Sequence, residues 1–122
     1  MIGYATLGTN DLAKASTFYE QLLAEIGGKK IMGNERMTMF AAGQNQPMLA
    51  VCKPFDGKAA SAGNGTMLAL NVPSQDAVQK LHAKALALGG RDEGAPGPRG
   101  PGGYFAYFRD LDGNKLAVFA RG

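Results

Sequence analysis

Apolar residues in this chain follow two different periods, and the two alternate twice from one end to the other. Residues 2–9 read as a short strand, and Asn10-Asp11 offer a helix cap just before Leu12. From there Leu12, Ala15, Phe18, Tyr19, Leu22, Leu23 and Ile26 recur three or one apart, which is one face of a helix. Gly27-Gly28 stops that helix, because glycine accepts the left-handed backbone that a helix C-cap needs. Short strands are predicted at about 29–33, 35–41 and 47–53, with Gly33-Asn34 and Gly43-Gln44-Asn45-Gln46 as the turns between them. The order then starts again. Residues 65–72 form a strand, Ser74 caps a helix whose stripe is Val78, Leu81, Ala85 and Leu88, and Gly89-Gly90 ends it. Strands follow near 91–94, 104–109 and 114–120. The run Ala95–Gly103, rich in proline and glycine, reads as a loop over a site.

The chain is therefore an internal duplication with a spacing of about 63–67 residues. Gly27-Gly28-Lys29 matches Gly89-Gly90-Arg91, and Leu49-Ala50-Val51 matches Leu116-Ala117-Val118. The fold class expected is α+β: two βαβββ modules that form a curved mixed sheet with the helices on its convex side. One domain over 1–122 is expected, with halves at about 1–54 and 64–122 and a linker at 55–63. Alternation along the strands assigns their faces. Ala5, Leu7, Leu68, Leu70, Val72, Leu116, Val118 and Ala120 belong under the helices. Tyr4, Thr6, Gly8, Met67, Ala69, Asn71, Lys115, Ala117 and Phe119 point the other way. That far side is too apolar for an ordinary solvent face, and a half-apolar concave surface is the default ligand site.

Charge and composition narrow the partners. The formal net charge is +3, but the 13 Lys and Arg residues are scattered and make no basic stripe interleaved with aromatics, so no nucleic-acid partner is expected. No apolar run is long enough for a membrane span and no leader pattern opens the chain, so no membrane partner is expected either. One cysteine, Cys52, cannot form an internal disulfide, which fits the reducing cytoplasm. The single histidine, His82, sits beside the buried stripe of the second helix, and its ordinary role there is structural. No Ser-His-Asp or Cys-His set can be assembled around it.

Certain residues carry a family resemblance. Asp110-Leu111-Asp112-Gly113-Asn114-Lys115-Leu116 resembles the Asp-Pro-Asp-Gly-Asn hairpin and last strand of the vicinal-oxygen-chelate superfamily, which includes glyoxalases, bleomycin-resistance proteins and dioxygenases; Leu111 stands where proline is usual. Thr9-Asn10-Asp11-Leu12 followed by Phe18-Tyr19 is similar to the family's first strand and helix. Val72-Pro73-Ser74, Leu81-His82-Ala83 and Leu88-Gly89-Gly90 resemble a glyoxalase-like subgroup. The likeness spans nearly the whole chain. It implies a cleft between the modules, a homodimer, and in the enzymes a divalent metal held by histidines on first strands and glutamates on last strands. Carried over by position, those slots hold Tyr4, Met67, Ala50 and Ala117. Alanine has no donor, a thioether is soft, and a neutral tyrosine is a poor ligand, so neither a metal nor any other cofactor is expected.

The ligand-binding cleft is assigned to Tyr4, Thr6, Phe40, Ala50, Cys52, Met67, Phe105, Tyr107 and Ala117, with Arg36 and Arg109 as candidates for an anionic group at its rim. Aromatic rings and methionine suit a flat or amphipathic small molecule. The functional expectation is a metal-independent small-molecule-binding protein. Two alternatives stay open: a glyoxalase-like lyase or dioxygenase-type enzyme with unusual active-site residues, and a structural or regulatory protein with a vestigial cleft.

Overall fold

The computed structural model describes residues 1–121; Gly122, the last residue of the expected span, lies outside the described residues. Strand β1 (Tyr4–Gly8) leads into helix α1 (Leu12–Ala24), and β2 (Lys29–Gly33), β3 (Met37–Ala41) and β4 (Met48–Cys52) follow. The second set is β5 (Leu68–Asn71), α2 (Gln75–Ala87), β6 (Arg91–Pro98), β7 (Gly103–Arg109) and β8 (Lys115–Arg121). Both sets have the βαβββ order. The first sheet runs β1-β4-β3-β2 and the second β5-β8-β7-β6. In each, the first strand pairs parallel with the last and the other neighbours are antiparallel.

Local chemistry explains the helix ends. The Asp11 carboxylate accepts from the Lys14 amide at 3.1 Å, and the Ser74 hydroxyl from the Ala77 amide at 3.1 Å. Each N-cap thus satisfies an amide that has no partner inside its helix. At the other end, Gly27 (φ 79°) and Gly89 (φ 100°) occupy the left-handed region. The amides of Gly28 and Gly90 then reach back to the carbonyls of Leu23 (2.7 Å) and Ala85 (2.8 Å). This is the same six-residue C-cap in both modules.

One side of each sheet is packed under its helix. Leu7, Thr38, Phe40, Leu49 and Val51 meet Ala15, Phe18, Tyr19, Leu22 and Leu23 of α1, and Ala106, Phe108, Leu116, Val118 and Ala120 meet Val78, Leu81 and Ala85 of α2. The two clusters merge into one core because α1 packs on α2. The β7–β8 hairpin clasps the first module: Tyr19 Oη donates to Asp110 Oδ2 at 2.5 Å, Asn114 Nδ2 to the Gly8 carbonyl at 2.9 Å, and the Asn10 amide to Asp112 Oδ1 at 2.9 Å.

Two expectations need correction. The loop expected at 95–103 is shorter, because β6 continues to Pro98, opposite Tyr104. It does so as an edge strand with register shifts at Asp92/Gly94 and Gly94/Gly97, the setting in which proline and glycine are tolerated in a sheet. Strand β3 starts at Met37, not 35, since Asn34 Oδ1 accepts from the amides of Arg36 and Met37, both at 2.9 Å, and holds the chain in a turn. As expected, the two βαβββ modules give an α+β fold with two four-stranded mixed sheets, and among the described residues no strand of one sheet touches a strand of the other.

Candidate functional site

Among the described residues no helix or strand covers the side of each sheet away from its helix, although the linker comes close to it at Gly8, where Ala60 lies beside the backbone. On the first sheet this open face carries Tyr4 and Thr6 of β1, Met39 of β3, and Ala50 and Cys52 of β4. Ala50 lies between Thr6 and Met39. Tyr4 is 54% exposed, while Met39, Ala50 and Cys52 are buried among their neighbours. On the second sheet the open face carries Ala69, Phe105, Tyr107, Ala117 and Phe119. Met67, immediately before β5, is 41% exposed.

Phe40 is the exception among the nine residues assigned to the cleft. It pairs with Leu49, on the same side as Leu7 and Val51, is fully buried in the core, and its ring centroid lies 6.5 Å from that of Tyr19. Met37–Ala41 is apolar on nearly every residue, so alternation alone could not choose its faces. Seven of the others lie along the open faces, on two sheets with no strand contact between them among the described residues, and Met67 stands exposed just before β5.

The second open face has the more developed surface. The rings of Phe119 and Phe105 are 5.1 Å apart and 13° from parallel, and those of Phe105 and Tyr107 are 6.0 Å apart and 12° from parallel. A row of three rings runs across β8 and β7. Phe119, which strand alternation places on this face, joins the row beyond the nine assigned cleft residues. Lys115, which alternation places on this face, has Nζ 5.4 Å from the Tyr107 ring centroid, and Arg99, from a segment whose sequence assigns no face, has Cζ 5.8 Å from it. Of the rim candidates, Arg109 is held by Glu93 at 2.6 Å and the Gly113 carbonyl at 2.9 Å, and Arg36 lies over the exposed Phe55 ring at 5.4 Å.

The metal slots can be judged by their donors. Tyr4 and Ala50 lie on the first open face, Ala117 on the second, and Met67 just before β5. Two of the four offer no donor atom, and the thioether and phenol do not make up the hard ligand set that a divalent ion needs. Among the described residues, no three His, Cys, Asp or Glu side chains converge anywhere. These residues do not fit the family's metal.

The remaining polar groups are occupied structurally. His82 is buried, with Nε2 3.1 Å from Asp92 Oδ1. The Gly94 amide, and then His82, hold the Asp92 carboxyl below its usual range. Asp110 accepts from the amides of Asp112 and Asn114, from Asn114 Nδ2 and from Tyr19. Burial first, and then Asp110, pushes the Tyr19 phenol well above the ordinary tyrosine value. A surface hollow of about 370 Å³ lies on the helix side, lined by Ala13, Lys14, Thr17, Phe18, Leu88 and Leu111, away from both open faces and without a convergent set of polar groups.

Comparison with known proteins agrees with this architecture. A crystal structure of a glyoxalase/bleomycin resistance protein from Albidiferax ferrireducens is 31% identical and superposes with a TM-score of 0.92, covering 100% of this chain and 99% of that one. Lactoylglutathione lyase from Agrobacterium tumefaciens shares the fold at 20% identity and TM-score 0.74, covering 98% and 92%. A fosfomycin resistance protein from Listeria monocytogenes does so at 19% identity and TM-score 0.74, covering 100% and 93%. No curated protein sequence matches the chain. The family model that matches residues 1–118 is that of the glyoxalases, and the chain belongs to the glyoxalase/bleomycin resistance protein/dioxygenase superfamily.

Proposed function

We propose that this protein binds a flat or amphipathic small molecule without a metal ion, acting as a cytoplasmic homodimer in which each site is built from two chains. The observation that carries the proposal is the donor chemistry at the family's metal positions: Tyr4, Ala50, Met67 and Ala117 stand in place of a ligand set, two of them without any donor atom. In the metal-using relatives an ion would polarise substrate oxygens, and here that role has no holder. Binding would instead draw on burial of apolar area. A ligand that buries about 200 Å² against one face gains roughly 5 kcal/mol before immobilisation costs. That is weak, and a second face is needed for micromolar affinity. One chain leaves its two open faces unopposed, with Tyr4 and Met67 exposed, whereas a twofold partner could set the first module of one chain against the second module of the other. No helix of the described residues is long and apolar enough to cross a membrane, and the one cysteine suits a reducing compartment.

The test joins three measurements on purified protein: sedimentation, metal analysis, and thermal shift with aromatic amphiphiles. The expected result is a dimer without stoichiometric metal that is stabilised by such ligands. The triple substitution Tyr4→His, Met67→His and Ala117→Glu should create metal affinity that the wild type lacks. Zinc, nickel or manganese retained one-to-one by the wild type, and lost on substitution of Tyr4 or Met67, would overturn the proposal and favour an enzyme.

A further inference from the structure

Gly94 and Gly97 lie within β6, where glycine weakens a strand and marks a close approach of some other group. Gly94 pairs with Tyr107 and Gly97 with Phe105, so a side chain at either would stand on the open face beside the aromatic row. A Cβ on Gly94 would come within 2.8 Å of the Tyr107 ring, and one on Gly97 within 2.9 Å of the Arg99 guanidinium. Arg99 takes the space these glycines leave. It folds back from the β6–β7 turn and donates to the carbonyls of Ala95 at 2.6 Å and Pro98 at 3.3 Å. Its Cζ lies 5.8 Å from the Tyr107 ring centroid, and Lys115 Nζ lies 5.4 Å from the same centroid.

Two cations therefore stand near the end ring of the row. Among the described residues neither forms a direct ion pair: Lys115 feels Glu93 only at longer range, and Glu93 is itself paired with Arg109, while Arg99 bonds only to carbonyls. Ring attraction offsets only about 0.5–1 kcal/mol of such crowding at an exposed site. The guanidinium keeps donors beyond the two its carbonyls use, in a planar fork that suits a carboxylate. We propose, resting on the binding role above, that the open face of the second module selects flat aromatic anions: the ring lies along Phe119, Phe105 and Tyr107, and a carboxylate-like group sits between Arg99 and Lys115.

Calorimetric titration of the intact protein with naphthoate and with its neutral amide, naphthamide, tests this. Naphthoate should bind about tenfold tighter at low salt, with the advantage shrinking as salt is added. Arg99→Gln and Lys115→Gln should each weaken naphthoate roughly three- to tenfold and leave naphthamide unchanged. Lys80→Gln, on the exposed face of α2, removes the same charge at a distance and should alter neither. Thermal melts establish that the variants fold. Equal affinity for the two probes overturns the anion preference while the binding role stands. Failure of both probes to bind overturns both. An equal loss for both probes in Arg99→Gln overturns the charge role of Arg99.

Discussion

Removing the Asp110 carboxylate should unlock the clasp between the modules. Asp110 is buried and accepts four hydrogen bonds: from Tyr19 Oη at 2.5 Å, and from the Asp112 amide, the Asn114 amide and Asn114 Nδ2, each at 2.9 Å. In Asp110→Ala the Asp112 amide can turn to water, and Asn114 Nδ2 keeps the Gly8 carbonyl. The Tyr19 hydroxyl and the Asn114 amide stay buried without an acceptor. At about 1–3 kcal/mol for each stranded donor, the loss is roughly 4 kcal/mol, against a total of about 5–15 kcal/mol for a domain. Tyr19→Phe removes a single bond to a carboxylate and should cost about 2 kcal/mol. In the Asp110→Ala background the same change deletes a stranded hydroxyl and should cost nothing or stabilise. The double-mutant cycle should therefore show a coupling of about 2 kcal/mol or more. Urea unfolding followed by circular dichroism reads all four proteins. A loss below about 1 kcal/mol in Asp110→Ala, or the same cost for Tyr19→Phe in both backgrounds, would refute the clasp.

Further outcomes follow from the same geometry. The Tyr19 phenol is raised by burial and by Asp110, so its contribution is fully present below the unfolded tyrosine value of about 10 and is lost as pH climbs from there through the higher folded value, by at most about 1.4 kcal/mol per pH unit; Tyr19→Phe should flatten that part of an alkaline stability profile. The Gly94 amide and His82 depress Asp92, and Arg109 depresses Glu93, so both contributions are present above the ordinary carboxyl range and fall away as acid passes through the lower folded values; Asp92→Asn should remove its share of the acid slope in a pH titration of melting temperature. Gly90→Ala should cost more than Gly27→Ala in urea unfolding, because a Cβ at Gly90 meets the Ala85 and Arg109 carbonyl oxygens at 2.8 Å, whereas Gly27 has open space and only its positive φ to lose, worth about 1 kcal/mol. Phe40→Ala should cost about 3–5 kcal/mol of stability. Phe105→Ala, on the half-exposed row, should cost less and should instead lower the affinity for an aromatic ligand; the reverse pattern would return Phe40 to the site.

Short-range chemistry alone determined the elements and their repetition. Asp11 and Ser74 cap the helices, the two glycine pairs end them, and the stripe from Leu12 to Ile26 names the face of α1, because each signal acts within a few residues. The Asp110–Asn114 hairpin carried the family for a similar reason, since Asp110 receives the amides of Asp112 and Asn114 within its own turn. Strand faces were legible wherever one side was distinctly small or polar, as at Tyr4, Ala117 and Lys115. Tertiary structure decided the rest. Phe40 needed its partner Leu49 to choose a side, since β3 is apolar on both. Pro96 and Pro98 joined a strand because β7 supplied pairing that local propensity does not include. Arg99 came to stand beside Tyr107 only because that strand brings Gly94 and Gly97 next to it. The separation of the two open faces rests on contacts between residues about a hundred positions apart, such as Asn114 to Gly8 and Asp112 to Asn10. Periodicity reports which way a side chain points from its own backbone. How one module is turned against the other depends on those long-range bonds and on the packing of α1 against α2, which no local pattern encodes.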